Sequence, residues 1–293
     1  MGRRLGLLVF LMCLSCGILC TGQITTWFHV GAMGAEGCVD WTQGWIQVAG
    51  YGIPPDNATT EAQGKGLARR AAIMDAQRGL LEVIQGIQVD AHSTMLNLMA
   101  NDAVRTAVSG TLQYAQITEG SDKWTVPEKS FLFFFKRPGD WREGEYQIKL
   151  QYNLDQLLLC VYPEGNAINI GGEGSEAQTC DYTGVVIDAR GLGIQPSLFI
   201  KLVDPQGNLA AEAVAAAYVP SAGYKLSMPD ASVESAKNDP RVGDNPLEIK
   251  ALGLANIPYC LIISEADAAQ IRNIASATSI LMKGGGSVLV VAD

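Results

Sequence analysis

From Gly64 to Gly86 the chain reads GKGLARRAAIMDAQRGLLEVIQG. Ala68, Ala72, Ala76, Gly79 and Val83 recur at helical spacing and make one continuous strip of small side chains. A helix carrying such a strip can lie unusually close to a sheet, so the strip predicts a helix from about Thr60 to Gln85 laid on strands. Leu67, Ala71, Met74 and Leu81 also recur near helical spacing, as do Ile73, Leu80 and Ile84. Gly86 is a natural stop, and the following IQVDAHST reads as a strand. The glycines do not make a phosphate loop. Gly64-Lys65-Gly66 has no third glycine at dinucleotide spacing, and no G-x-x-x-x-G-K-[ST] pattern occurs. Lys65, Arg69 and Arg70 are expected on the solvated face of the helix.

Around this helix the pattern is of strands. GWIQVAGYG alternates as a strand, and Pro54-Pro55-Asp56-Asn57 breaks it. A second helix is expected from about Met95 to Ser109, with a strand beginning near Gly110. In SFLFFFKRPGDWREGEYQIKLQYNL, Pro138-Gly139-Asp140 has turn chemistry, and Tyr146, Ile148, Leu150, Tyr152 and Leu154 alternate with polar residues. That stretch reads as a hairpin. A loop rich in Gly, Asn and Glu at 163–179 then separates a second unit, 180–293. In it TGVVIDARGLG, SLFIKLVDPQGN, LEIKALGL, PYCLII and the final GGGSVLVVAD are strands, and LAAEAVAAAYV fits helix or strand. ASVESAKNDPRVGDNP is a connector, and Ser264 with Asp267 caps a helix. Residues 23–44 show no clear period and are expected to be an irregular extension before a first domain at 45–162. The fold class is α+β: two α/β-sandwich-like domains, each with helices packed on one face of a mostly antiparallel sheet.

The first 22 residues, MGRRLGLLVFLMCLSCGILCTG, place Arg3 and Arg4 before an apolar run from Leu5 to Leu19. This is the form of a secretory signal removed after Gly22, the alternatives being a retained anchor or lipidation at Cys16. Export follows from it, with membrane association only if Cys16 is lipidated. Four of the seven cysteines lie beyond the signal: Cys38, Cys160, Cys180 and Cys260. An even number in an exported chain permits two disulfides. Cys160 and Cys180 bracket the Gly-rich loop and are the candidate pair, and Cys260 in an apolar strand reads equally as a buried thiol.

The net charge of −9, with no basic stripe, argues against nucleic acid as a partner. Only two histidines occur, His29 and His92, and neither has a second ligand at metal-site spacing or a Ser or Cys partner. No cofactor or metal is expected, and the chain reads as a non-enzyme. One charged pair stands out. Asp188 and Arg190 end an apolar strand just before two glycines, where they could bind a small ligand or form a local ion pair that fixes a turn.

The segment from GYG through AQGKGLARRAAIMDAQRGLLEVIQGIQVDAHST resembles the LPP-twenty lipoprotein family and the similar first domain of the flagellar assembly T proteins. The shared pattern falls on Ala68, Arg69, Ala71, Ala72, Asp75, Ala76, Arg78, Leu80 and Gly86, and the resemblance spans roughly residues 45 to 120. It describes a scaffold rather than a catalytic site. TGVVIDARGLG, NPLEIKA and LIISEADAAQI resemble the domain that follows it in bacterial envelope proteins. The resemblance implies an exported assembly, adaptor or structural factor that binds other envelope proteins.

Overall fold

The computed structural model describes residues 23–30, 35–131, 135–137, 139–161, 182–214, 217–220, 231–277 and 288–293. The signal, the loop at 163–179 and Cys180 therefore lie outside the described residues. Among those described, no helix is long and apolar enough to cross a membrane.

The first half runs β1 (Thr25–Val30), β2 (Ala35–Asp40), β3 (Trp45–Gly52), α1 (Glu61–Gly86), α2 (Met95–Leu98), α3 (Asp102–Thr111), β4 (Gln116–Ile117), β5 (Lys123–Thr125), β6 (Lys129–Phe131), β7 (Phe135–Arg137), β8 (Glu145–Asn153) and α4 (Leu154–Val161). Its main sheet has the order β1-β2-β3-β8-β4, with β5 also on β8, and all its pairings are antiparallel. β3 and β8 run together from Trp45↔Asn153 to Gly52↔Tyr146. On β3 the residues Ile46, Val48, Gly50 and Gly52 are buried, and on β8 Ile148, Leu150 and Tyr152 are. These faces receive α1, which starts where the Thr60 hydroxyl accepts a hydrogen bond from Gln63 N.

The small-residue strip does what its spacing predicts. Ala68, Ala72 and Ala76 are fully buried. A Cβ on Gly50 would sit 2.3 Å from the Ala72 carbonyl oxygen and 2.4 Å from Ala76 N. On Gly52 it would sit 2.1 Å from the Ala68 carbonyl oxygen and 2.5 Å from Ala72 N. Helix backbone and strand backbone are in direct contact, which only glycine on the strand and alanine on the helix allow. Leu67 and Met74, by contrast, point outward.

The second half contains β9 (Gly184–Asp188), β10 (Phe199–Val203), β11 (Leu209–Val214), β12 (Ala217–Pro220), α5 (Ala231–Lys237), β13 (Pro246–Lys250), β14 (Gly253–Leu254), β15 (Cys260–Ile262), α6 (Glu265–Ala277) and β16 (Val288–Ala292). One sheet, β12-β16-β9-β13, is parallel throughout. The other, β11-β10-β15-β14, is mixed. The near-continuous apolar runs of β9 and β16 explain the parallel sheet, because such sheets are covered on both faces. Val186, Leu289 and Val291 pack with Val233 and Ala236 of α5, whereas Val185, Ile187, Val288 and Val290 join the main core. That main core spans both halves. Leu198 N and Phe199 N donate to the carbonyls of Gln88 and Val89 at 3.0 and 2.7 Å. Trp41 meets Tyr218 edge-on at 5.9 Å.

The α+β class holds, and several finer expectations do not. The described residues of 23–44 are not an irregular extension: they supply β1 and β2, whose alternation is blurred because the large apolar Trp27 is 46% exposed and Gly37, Cys38 and Val39 are buried in succession. The second half is parallel and mixed rather than mostly antiparallel. IQVDAHST forms a turn, not a strand, because the Asp90 carboxylate accepts from His92 N and Ser93 N and leaves only the bridge Gln88↔Thr94. The helix expected over Met95–Ser109 is broken into α2 and α3, and a 3-10 turn at Leu112–Tyr114 precedes a two-residue β4. The hairpin expected across Pro138-Gly139-Asp140 is replaced by distant pairing: β8 lies between β3 on one side and β4 and β5 on the other, while β6 pairs β7 separately. The connector contains α5, and LAAEAVAAAYV resolves into β11 and β12.

Two glycine substitutions separate the close contact from ordinary helix propensity. Gly66 lies in α1 with open space where a Cβ would go, so Gly66→Ala should stabilise the chain by roughly 0.5–1 kcal/mol. Gly52→Ala should destabilise it by about 1–3 kcal/mol or more, because backbone must move. Urea titrations of the two variants against the parent check the opposite signs.

Candidate functional site

β9 leads Asp188 to the carboxyl end of the parallel sheet, the end at which open α/β sheets bind ligands. Asp188 pairs in register with Lys250 of β13 and Val291 of β16. The strand ends are tied by Ala189 N to the Val291 carbonyl and Ala251 N to the Asp188 carbonyl, both at 2.9 Å. The chain then turns at Gly191, whose φ of 73° favours glycine. Gly191 N donates to the carboxylate of Asp293. Asp188, Arg190, Lys250 and Asp293 therefore converge on one rim, although the sequence pointed only to the first two.

Arg190 turns its guanidinium back onto Asp188. Its Nε donates to Asp188 Oδ1 and its Nη2 to Asp188 Oδ2, both at 2.7 Å, and its backbone N–H donates to Oδ1 at 3.2 Å. The side chains are 24% and 12% exposed. The Arg190 guanidinium, helped by its own backbone N–H and by Lys250, holds the Asp188 carboxyl below the usual carboxylate range against the effect of burial. An ionised, doubly hydrogen-bonded carboxylate is neither a proton donor nor a ready base. Of the two readings open for this pair, the geometry fits the clamp that fixes a turn.

Two further ion-pair clusters escaped the sequence. Asp204, 5% exposed at its side chain, accepts from Gln206 N, Asn208 N and Asn208 Nδ2, closing the turn between β10 and β11. Its Oδ2 also accepts from Arg272 Nη2 of α6 at 2.9 Å. Burial opposes the Asp204 charge, but these bonds, led by that from Asn208 N, outweigh it and leave the carboxyl below its ordinary value. The signal was the Asp at the head of DPQGN, a residue that caps its own turn. In the first half Arg69, expected to be solvated, instead gives its Nε and Nη2 to Asp122 Oδ2 at 2.9 and 2.8 Å. Hydrogen bonds from Tyr146 and then Arg69 lower the Asp122 carboxyl.

The resemblance motif divides by role. Ala68, Ala72, Ala76 and Leu80 are buried. Asp75 Oδ2 accepts from Tyr51 N at 3.1 Å, past the point where β2 stops pairing with β3. Gly86 closes on the ring of Phe28: a Cβ there would lie 2.7 Å from it. Ala71 and Arg78 face solvent.

The bridge between Cys160 and Cys180 finds no support. Cys160 is a buried free thiol on α4 that donates to the Gln156 carbonyl at 3.3 Å, and its expected partner lies outside the described residues. Burial pushes its pKa up, and it pushes the neighbouring Tyr152 hydroxyl up to about 12. Cys260 is likewise a buried thiol, on β15.

If Asp188–Arg190 is a clamp, Arg190→Ala should cost about 1–3 kcal/mol at neutral pH, since it leaves a largely buried carboxylate short of donors. A carboxyl depressed in the folded chain contributes stability that is complete above its unfolded pKa of about 3.9 and lost as pH falls through the folded value. Melts of parent and variant should therefore differ at neutral pH and converge as the pH drops below ~3.9.

No curated protein matches the chain. Residues 184–293, from the first residue of β9 onward, match the family described as the second domain of Treponema pallidum Tp0624.

Proposed function

We propose that this chain is an exported bacterial cell-envelope protein that performs no catalysis and acts as an assembly, adaptor or structural factor by binding other envelope proteins. The observation that carries the reading is the closure of Asp188 and Arg190 on each other: the most site-like pair in the chain already has its forked donors and its carboxylate oxygens engaged. The charged, then apolar, start of the sequence supports export, and the LPP-twenty-like pattern at residues 45 to 120 supports a scaffold role within the envelope. The match of 184–293 to a domain of a treponemal protein agrees with a bacterial setting. A second reading, a small-ligand binder at the Asp188 rim, draws on the position of that rim at the carboxyl ends of parallel strands.

Fractionation of the native cell followed by N-terminal sequencing tests the location. The expected result is an envelope protein beginning near residue 23, and a soluble cytoplasmic protein retaining Met1 would overturn it. Affinity purification from the crosslinked envelope tests the role. Defined envelope proteins should copurify equally with the parent and with Asp188→Asn. Loss of the partners in that variant, or a small molecule that protects the parent alone against thermal unfolding, favours the second reading.

A further inference from the structure

β1 pairs with β2 along one edge and leaves its other edge open. Trp41 N donates to the Ile24 carbonyl at 2.9 Å, and the register then runs without a break from Thr25↔Asp40 to Val30↔Ala35. In an antiparallel ladder the direction of the main-chain groups alternates from one residue to the next. Thr26, Phe28 and Val30 therefore turn toward β2, and Thr25, Trp27 and His29 turn their N–H and C=O groups away from it. Those outward groups bond to nothing among the described residues. The strand reads TTWFHV, with no proline, lysine, arginine or acid and no bulge, and Trp27 is 46% exposed. Every other outer strand among the described residues is guarded. β4, β5, β6, β7 and β14 have only two or three residues each. β13 opens on Pro246 and carries Glu248 and Lys250. β12 gives Tyr218 N to the Trp41 carbonyl at 3.1 Å and ends on Pro220, and β11 receives Arg272 Nε at its Leu209 carbonyl. A long uncharged edge without such devices is a template for another strand.

We infer that β1 is the contact surface for a second copy of this chain, whose β1 adds to it antiparallel about a two-fold axis at Trp27. In that register Trp27 faces Trp27 of the second copy and Thr25 faces its His29, so every outward N–H meets a carbonyl and every outward carbonyl an N–H. A slip of two residues leaves one outward residue of each strand without a partner, and a slip of one sets outward groups against inward ones. The strand is thus complementary to itself in a single register. Its side chains agree. Phe28 packs on Gly86 of α1, so Thr25, Trp27 and His29 lie on the opposite face of the sheet. On the α1 face Thr26 stands opposite Phe28 of the second copy, a β-branched residue against an aromatic one, a pairing that favours antiparallel strands. β1 carries no fixed charge to repel its own copy, and none with which to select a foreign strand. One sheet then runs through both copies, with both α1 helices on the same face.

The test is sedimentation equilibrium of the chain as the cell produces it, at high micromolar concentration, together with photo-crosslinking in the cell. The parent should sediment as a dimer. Trp27→Lys and Trp27→Glu each set like charges across the axis, and each should raise the dimer dissociation constant at least tenfold. An equimolar mixture of the two variants should recover the dimer, because position 27 faces only its own counterpart. His29→Pro removes one outward N–H without touching the β2 ladder and should also weaken the dimer, so it carries the test if circular dichroism shows that a charge at position 27 disturbs the fold. Benzoylphenylalanine at His29 should link to the start of β1 in a second copy. A monomeric parent, a dimer indifferent to these substitutions, no recovery in the mixture, or a link from position 29 to a different protein would overturn the inference.

Discussion

The contact between two glycines of β3 and three alanines of α1 sets the rest of the molecule. Gly50 and Gly52 let the helix backbone descend onto the strand, and Ala68, Ala72 and Ala76 let it stay there. Nothing larger fits on either side, so the register of α1 on the sheet is fixed sterically rather than by a broad apolar stripe. Asp75 then supplies an acceptor for the Tyr51 N–H beyond the end of β2. With α1 in place, its C-terminus delivers Gln88 and Val89 to the backbone of Leu198 and Phe199. The first half positions the second through a chain of contacts that begins at two missing methyl groups.

The charged residues follow a common logic. Asp188 with Arg190, Asp204 with Arg272 and Asp122 with Arg69 each join a turn or loop to a neighbouring residue or element. A carboxylate taken partly out of water is costly unless its oxygens are hydrogen-bonded, and each of these is. Such pairs specify geometry. They hold their groups in the ionised state, with the donors directed inward, which suits clamps better than reagents.

The parts of this architecture visible in the sequence were those with a single dominant period. α1, β3, β8, β9, β10, β13, β15 and β16 could be read from alternation, small-residue spacing or unbroken apolar runs, and the Ser264–Asp267 cap from its own chemistry. What stayed hidden depended on distant partners. β1 and β2 gain their order from pairing, and α5 from covering β9 and β16. The turn at Asp90 competed successfully with an extended reading because a carboxylate sits where it can accept two N–H groups. The same limit applied to the rim around Asp188. Its residue types were legible, but the closure by Arg190 and the approach of Lys250 and Asp293 arise only when β13 and β16 flank β9.

The order of strands in the parallel sheet has a temporal side. β9 opens the second half, yet one of its neighbours is β16, so Val185 waits for Val288 before that edge is satisfied. The central ladder of this sheet cannot form on a growing or threading chain until residues 288–292 have emerged. Long-range parallel pairing of this kind is slow to form. β9 and β13 can pair earlier, but the parallel sheet is topologically unable to lock until β16 arrives.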